Sequence, residues 1–146
     1  MNGSPKTKVL FLCTGNSARS QMAEAWLRVL GGDGFEVFSA GLEPYGVNPF
    51  TVRVMEETGY SMQDHRSKHI NDFIGSIDFD HLITVCGNAD ERCPVFPGMG
   101  KRQHWPFDDP ADFQGTEEQK LAFFRSIRDQ IKARIEAWLA EEDNLA

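Results

Sequence analysis

Residues 8–30, KVLFLCTGNSARSQMAEAWLRVL, carry the signal on which the fold assignment turns. Lys8–Leu12 is a short, fully apolar run of the kind that forms a strand buried on both faces. A turn containing Gly15 ends it. From Ser20 to Leu30 apolar residues return at three- and four-residue spacing, at Met22, Ala25, Trp26 and Val29, the period of a helix packed along one side. Gly31-Gly32-Asp33-Gly34 stops that helix. Strand, tight turn and helix in this order open a parallel α/β unit.

The same alternation continues downstream. Glu36–Ala40 reads as a second strand ended by Gly41. Asn48-Pro49 reads as a helix start, a side-chain cap followed by proline at the first helical position, with the helix running to Thr58 and Gly59 closing it. A short helix is expected over Asn71–Gly75, a third buried strand over His81–Val85 and a shorter fourth within Lys101–Phe107. Thr116-Glu117-Glu118-Gln119 is a capping box. It opens a long helix whose Leu121, Phe124, Ile127, Ile131, Ile135 and Trp138 form one apolar stripe. The expected architecture is a four-stranded parallel sheet with helices on both faces and right-handed crossovers. With no repeat, low-complexity tract or linker, residues 1–146 are expected to form one domain.

The net charge of −7 argues against a nucleic-acid or anionic-membrane binder, so any anion must be held by a local device. No apolar run of 18 residues is present, and the opening MNGSPKTKVLFLC lacks the length and cleavage site of a signal peptide. Three cysteines are too few, and odd in number, for a secreted disulfide framework. These features point to a cytoplasmic protein with chemically active or inert thiols, expected to be monomeric.

In a parallel sheet, ligands bind beyond the carboxyl ends of the strands. Cys13 falls just past the first strand, Cys86 at the end of the third, and Asp108-Asp109 after the fourth, so all three converge on one edge. Cys13-Thr14-Gly15-Asn16-Ser17-Ala18-Arg19-Ser20 has the pattern C-x5-R-S. Five intervening residues let the backbone curl so that successive N–H groups point at an oxyanion, aided by the helix amino terminus behind them. Arg19 can grip two oxygens with its planar fork. The same donors favour the Cys13 thiolate, and Ser20 can add a hydrogen bond to its sulfur. The bland reading, a buried cysteine in a turn beside a surface arginine, is disfavoured by the strand before the loop and the helix after it.

CTGNSARSQMAEAW at residues 13–26 resembles the phosphate-binding loop of the low-molecular-weight tyrosine phosphatase fold, and specifically its thioredoxin-coupled arsenate reductases. The likeness continues through FSAG (38–41), GVNP (46–49), TVCGNADERCP (84–94), HWPFDDPA (104–111) and QGTEEQKLAFFRSIRDQI (114–131), and so spans nearly the whole chain. The resemblance implies that the loop residues Thr14 to Ser20 bind arsenate, with phosphate or sulfate as competing anions. It implies that Cys13 attacks arsenate while Asp109 protonates the departing oxygen. Cys86 would then release arsenite by forming a Cys13–Cys86 disulfide, and Cys93 would convert it to Cys86–Cys93, which thioredoxin reduces. Whether thioredoxin, glutaredoxin or another thiol serves stays open.

The spacing from Cys86 to Cys93 adds a physical constraint. Seven helical residues would separate their Cα atoms by about 10 Å, whereas a disulfide needs roughly 4.4–6.8 Å. The segment must unwind or already be a loop, and Gly87, Asn88 and Asp90 make it a poor helix. It is therefore expected to be a mobile flap. A zinc site lacks the usual short knuckle spacing, and no bound metal is expected. His65 and His69 have helical spacing but no third ligand, and read as surface or packing residues. Ala18 stands where many relatives carry a further cysteine, without touching the three relay positions. Some relatives bind potassium through positions matching Asn16, Glu24, Ser39 and an acidic residue, where this chain has Lys68. The Lys68 ammonium either replaces that cation or is a solvated surface charge. The rival reading is a tyrosine phosphatase using Cys13, Arg19 and Asp109 alone, although Ala111-Asp112-Phe113 lacks the paired tyrosines that hold an aromatic substrate.

Overall fold

The computed structural model describes residues 6–93 and 95–145. β1 (Thr7–Cys13), β2 (Phe35–Gly41), β3 (His81–Thr84) and β4 (Lys101–His104) form one parallel sheet in the order β2-β1-β3-β4. The chain leaves β1 outward to β2 and returns on the other side to β3. The carboxyl ends of β1 and β3 therefore flank the point where strand order reverses, the expected place for a ligand crevice.

Among the described residues, the α-helices α1 (Arg19–Gly31), α2 (Pro49–Glu56), α3 (Gly87–Arg92) and α4 (Glu117–Leu145) accompany the sheet. α1 packs on β1, β2 and α4, and α4 also meets α2. Because β1 pleats, its apolar run serves both faces. Phe11 meets Trp105, which meets Trp138 of α4. On the opposite face Phe38, the β-partner of Leu10, packs edge-on against Phe73 and Phe79. Val9 to Leu12 are fully buried, as a two-sided strand requires.

The start signals work as their chemistry dictates. Asn48 Oδ1 accepts the Phe50 amide at 2.8 Å, and Thr116 and Gln119 bond reciprocally at 3.1 and 2.9 Å. The whole stripe from Leu121 to Trp138 is buried. Three details differ from the sequence reading. Val29, placed on the apolar side of α1, is exposed, and Leu27 is buried instead. α2 stops at Glu56, where Thr58 and Gly59 turn back onto the Met55 and Glu56 carbonyls. The short helix expected over 71–75 is a 3-10 turn at Ile70–Asp72, opened by His69 Nδ1 accepting the Asn71 amide. Among the described residues no helix is long and apolar enough to cross a membrane.

Candidate active site

Cys13 closes β1, Arg19 opens α1, and the residues between them curl back on themselves. The curl is fixed from outside by the chain that follows β2. The amides of Leu42, Glu43, Tyr45 and Asn48 bond the carbonyls of Cys13, Thr14, Gly15 and Ser17 at 2.8–3.3 Å. With its carbonyls taken outward, the loop is left to turn its N–H groups inward. Asn16 provides the sharpest bend, in the left-handed region at φ 48°. That conformation is uncommon outside glycine, and asparagine tolerates it best. Its amide N–H donates to Cys13 Sγ at 3.2 Å.

Asn16 is wholly buried and its side chain is oriented on both sides. Oδ1 accepts from the Lys68 amide at 2.8 Å and from Gln21 Nε2 at 3.0 Å. Nδ2 therefore faces Ser20 Oγ, to which it donates at 2.9 Å. Ser20 Oγ lies 2.8 Å from Cys13 Sγ. The same hydroxyl contacts both the Asn16 side-chain amide and the Cys13 sulfur. The Asn16 backbone amide and the Ser20 hydroxyl thus converge on the Cys13 sulfur.

Gly41 packs directly against the backbone of the loop. A Cβ there would fall 2.5 Å from the Thr14 carbonyl oxygen and 2.9 Å from the Asn16 nitrogen, both backbone atoms that cannot swing away. Gly41→Ala is expected to lower stability in urea unfolding by about 1–3 kcal/mol, the usual cost of overpacking, and to weaken oxyanion binding. The atoms nearest a Cβ at Gly15 belong to Tyr45, the movable end of an exposed side chain, so Gly15→Ala is expected to cost less.

Arg19 reaches across the crevice mouth. Nη1 donates to the Phe107 carbonyl at 3.1 Å and Nη2 lies 3.4 Å from Asp109 Oδ2. Asp109 is fixed in turn by its other oxygen, which accepts the Ala111 amide at 3.0 Å and so starts a 3-10 turn at Pro110. Cys13, Arg19 and Asp109 thus line one small cavity with Gly15, Ser17 and Ala18. Tyr45 lines it as well and was not singled out from the sequence. Its hydroxyl pKa is raised by partial burial and by the negative charges of Asp109 and Cys13. The only sequence signal was an aromatic residue in the Pro44-Tyr45-Gly46 turn.

Cys86 follows β3 and caps α3, accepting the Ala89 amide at 3.4 Å. Its sulfur also lies 3.4 Å from Thr14 Oγ1, which accepts from Asn88 Nδ2 at 2.7 Å. The second thiol is therefore tied to the residue immediately after Cys13. Cys93 lies just beyond α3, 7% exposed, and no disulfide joins any of the three cysteines. Burial pushes the Cys93 thiol pKa up; Arg102 opposes this and Asp90 adds to it. The expectation of a poorly helical flap is corrected here, because residues 87–92 form a helix. Intrinsic propensity is overridden by fastenings at both ends, Cys86 at the first turn and Arg102 at the last.

Behind the loop, Glu24 is 3% exposed. It accepts from Ser39 Oγ at 2.5 Å, pairs with Arg28 at 2.5 Å and lies 3.8 Å from Lys68 Nζ. Lys68 Nζ also donates to the Arg66 carbonyl at 2.6 Å. Its side chain is only 13% exposed, so the surface-charge reading of Lys68 does not hold. Burial lowers its pKa, and the Glu24 carboxylate raises it again. Of the two roles left open for His65, surface or packing, the structure has packing. His65 sits outside any helix, bridging Tyr60 Oη at 2.6 Å and Gln21 Oε1 at 2.8 Å. Gln21 passes this support on to Asn16 and the Cys13 loop. Among the described residues no three His, Cys, Asp or Glu side chains gather as a metal cluster.

The family model of the low molecular weight phosphotyrosine protein phosphatases matches residues 8–145. An arsenate reductase of Bacillus subtilis is 48% identical over 128 residues, 87% of this chain and 91% of the relative. A solved structure described as an arsenate reductase in the phosphate binding state superposes with a TM-score of 0.74 at 35% identity, covering 92% of this chain and 98% of its own. The thioredoxin-dependent arsenate reductase of Corynebacterium glutamicum superposes with a TM-score of 0.73 at 26% identity, over 99% of this chain and 66% of that one.

Proposed function

The chain belongs to the low-molecular-weight phosphotyrosine protein phosphatase family, and on that premise we propose that it is an arsenate reductase working through Cys13, Cys86 and Cys93. Arsenate enters the loop of residues 14–20, where backbone amides and the Arg19 fork hold its oxygens. The Cys13 thiolate attacks arsenic, and an oxygen leaves as water with the proton that Asp109 supplies. Cys86 then attacks Cys13 Sγ. The sulfur–arsenic bond breaks, its electron pair stays on arsenic, and arsenite departs from a Cys13–Cys86 disulfide. Cys93 attacks Cys86 Sγ in turn and returns Cys13 as a thiolate, leaving a Cys86–Cys93 disulfide for thioredoxin. The cytoplasm, where thioredoxin keeps thiols reduced, is the compartment this chemistry suits.

The observation that carries this reading is the tie between Cys86 and Thr14. Asn88 Nδ2 donates to the Thr14 hydroxyl, which in turn contacts the Cys86 sulfur, so the three side chains form one chain of contacts at the crevice. A phosphatase would require Cys13, Arg19 and Asp109 but would give Thr14, Asn88 and Cys86 no joint task.

The test is NADPH consumption in the presence of arsenate, thioredoxin and thioredoxin reductase, with arsenite quantified alongside. One NADPH consumed per arsenite, and none with phosphate in place of arsenate, is the expected outcome. Arsenate-independent hydrolysis of an aryl phosphate, with no arsenite formed by either thioredoxin or glutaredoxin, would move the assignment to phosphatase.

Lys68 extends the proposal. Its ammonium faces Glu24, hydrogen-bonded to Ser39, and its backbone amide holds Asn16; these positions match those through which some relatives bind potassium. A resident cation on the chain makes a bound one unnecessary, so turnover is expected to be unchanged when potassium replaces sodium at constant ionic strength. A marked rise with potassium would contradict this role for Lys68.

A further inference from the structure

α3 is a six-residue helix containing Gly87, Asn88 and Asp90, too short and too poor in helix formers to persist unaided. One residue outside it holds much of its final turn. Arg102, on edge strand β4, donates Nη1 to the Cys93 carbonyl at 3.2 Å. Its Nη2 donates to the Asp90 carbonyl and lies 3.3 Å from Asp90 Oδ1. The Asp90 carbonyl is the acceptor that a continuing helix would pair with the amide of residue 94. That residue is Pro94, which has no N–H to give. The guanidinium supplies the missing donor and places a cation at the negative end of the helix. The Asp90 carboxylate is held from a second side by Thr84 Oγ1 at 3.0 Å, and Thr84 Oγ1 is 2.8 Å from His104 Nδ1. The last turn of α3 is thus fastened to β3 and β4 through Asp90 and Cys93.

We propose that Arg102 is a positioning residue of the redox relay: it clasps the dithiol form of α3 to the sheet, and its release lets Cys93 reach Cys86. The inference rests on the relay described above. In helical geometry the two cysteines stand about 10 Å apart along the axis, beyond the roughly 4.4–6.8 Å of a disulfide. The Asp90 and Cys93 carbonyls cannot both keep the guanidinium once the segment between Cys86 and Cys93 unwinds. The clasp therefore stabilises the dithiol against the disulfide and makes the disulfide easier for its reductant to open.

Arg102→Met and Asp90→Asn are compared with the unsubstituted protein in two measurements. The first is the rate of iodoacetamide alkylation at Cys93 in the fully reduced chain, with Cys13 alkylation as the control for an intact loop. The second is the Cys86–Cys93 dithiol–disulfide equilibrium in redox buffers of dithiothreitol. Arg102→Met is expected to speed Cys93 alkylation about tenfold and to shift the equilibrium about tenfold towards the disulfide, about 30 mV for two electrons. Asp90→Asn is expected to do the same to a smaller degree, because it keeps the carbonyl contacts. The sign is diagnostic: loss of a nearby positive charge alone would slow alkylation, since Arg102 favours the Cys93 thiolate. Unchanged or slower alkylation with an unchanged equilibrium, in protein that does form the Cys86–Cys93 disulfide, removes the clasp and leaves the relay standing. Failure of the unsubstituted protein to form that disulfide removes the relay and the clasp with it.

Discussion

Cys93→Ser is expected to release one arsenite per chain and then stop, with Cys13 and Cys86 locked in a disulfide. The first two steps need only the crevice, and every group serving them lies before residue 93 or on the Asp109 turn. Regeneration is different. Cys13 and Cys86 are 3% and 4% exposed, so a protein reductant has no approach to a bond between them. Cys93 follows the short helix α3, whose proposed release from the sheet would carry the oxidation within a reductant's reach. A pre-steady-state burst of arsenite, with thioredoxin-driven NADPH oxidation at background, is the signature of this variant. Cys86→Ser is expected to fail one step earlier, without disulfide or arsenite but with the Cys13 nucleophile intact. Aryl phosphate hydrolysis, where present, should survive both substitutions and vanish only in Cys13→Ser. Steady turnover of Cys93→Ser with thioredoxin would show that the third cysteine is a bystander.

Arg19→Lys should lose arsenate kcat/KM by about 10²–10³-fold, as for removal of a donor aimed at developing oxyanion charge. Charge is kept in this substitution and geometry is lost. A lysine ammonium cannot bridge two arsenate oxygens while also holding the Phe107 carbonyl, as the guanidinium does at 3.1 Å. The 3.4 Å pairing with Asp109 would loosen too, leaving the proton donor less well placed. The loss should appear in single-turnover arsenite formation, and the Cys86–Cys93 equilibrium should not move. An Arg19→Lys variant within a few-fold of the unsubstituted rate would show that the backbone amides alone hold the anion.

The strand–loop–helix unit was legible because several local signals agree over 23 consecutive residues: a buried apolar run, a turn, a cysteine-to-arginine spacing and a 3.6-residue period. The capping box of α4 and the Asn48-Pro49 start were legible for the same reason, since a cap acts on amides two or three residues away. What escaped depends on partners distant in sequence. α3 reads as a poor helix because Gly87, Asn88 and Asp90 are all that the local sequence offers, whereas the residue fastening its last turn, Arg102, lies on another strand. For His65 the sequence left surface and packing roles open, because its partners Gln21 and Tyr60 meet it only in the folded chain. Tyr45 comes to the crevice because residues 42–48 run along the loop carbonyls, a path no periodicity announces. Lys68 was noticed only through a family position. That its ammonium is buried beside Glu24 depends on β2 and α1 meeting there.

In the proposed relay, electrons reach arsenate through Cys13 and the resulting oxidation ends on Cys86 and Cys93. The relay is tested most directly by treating the fully reduced chain with excess arsenate and no reductant, alkylating the remaining thiols, and mapping the disulfide by mass spectrometry while counting arsenite. One arsenite per chain, a Cys86–Cys93 disulfide and an alkylated Cys13 are expected. A chain that forms arsenite yet keeps Cys13 in its final disulfide, or one in which all three cysteines alkylate and no arsenite appears, would contradict the relay.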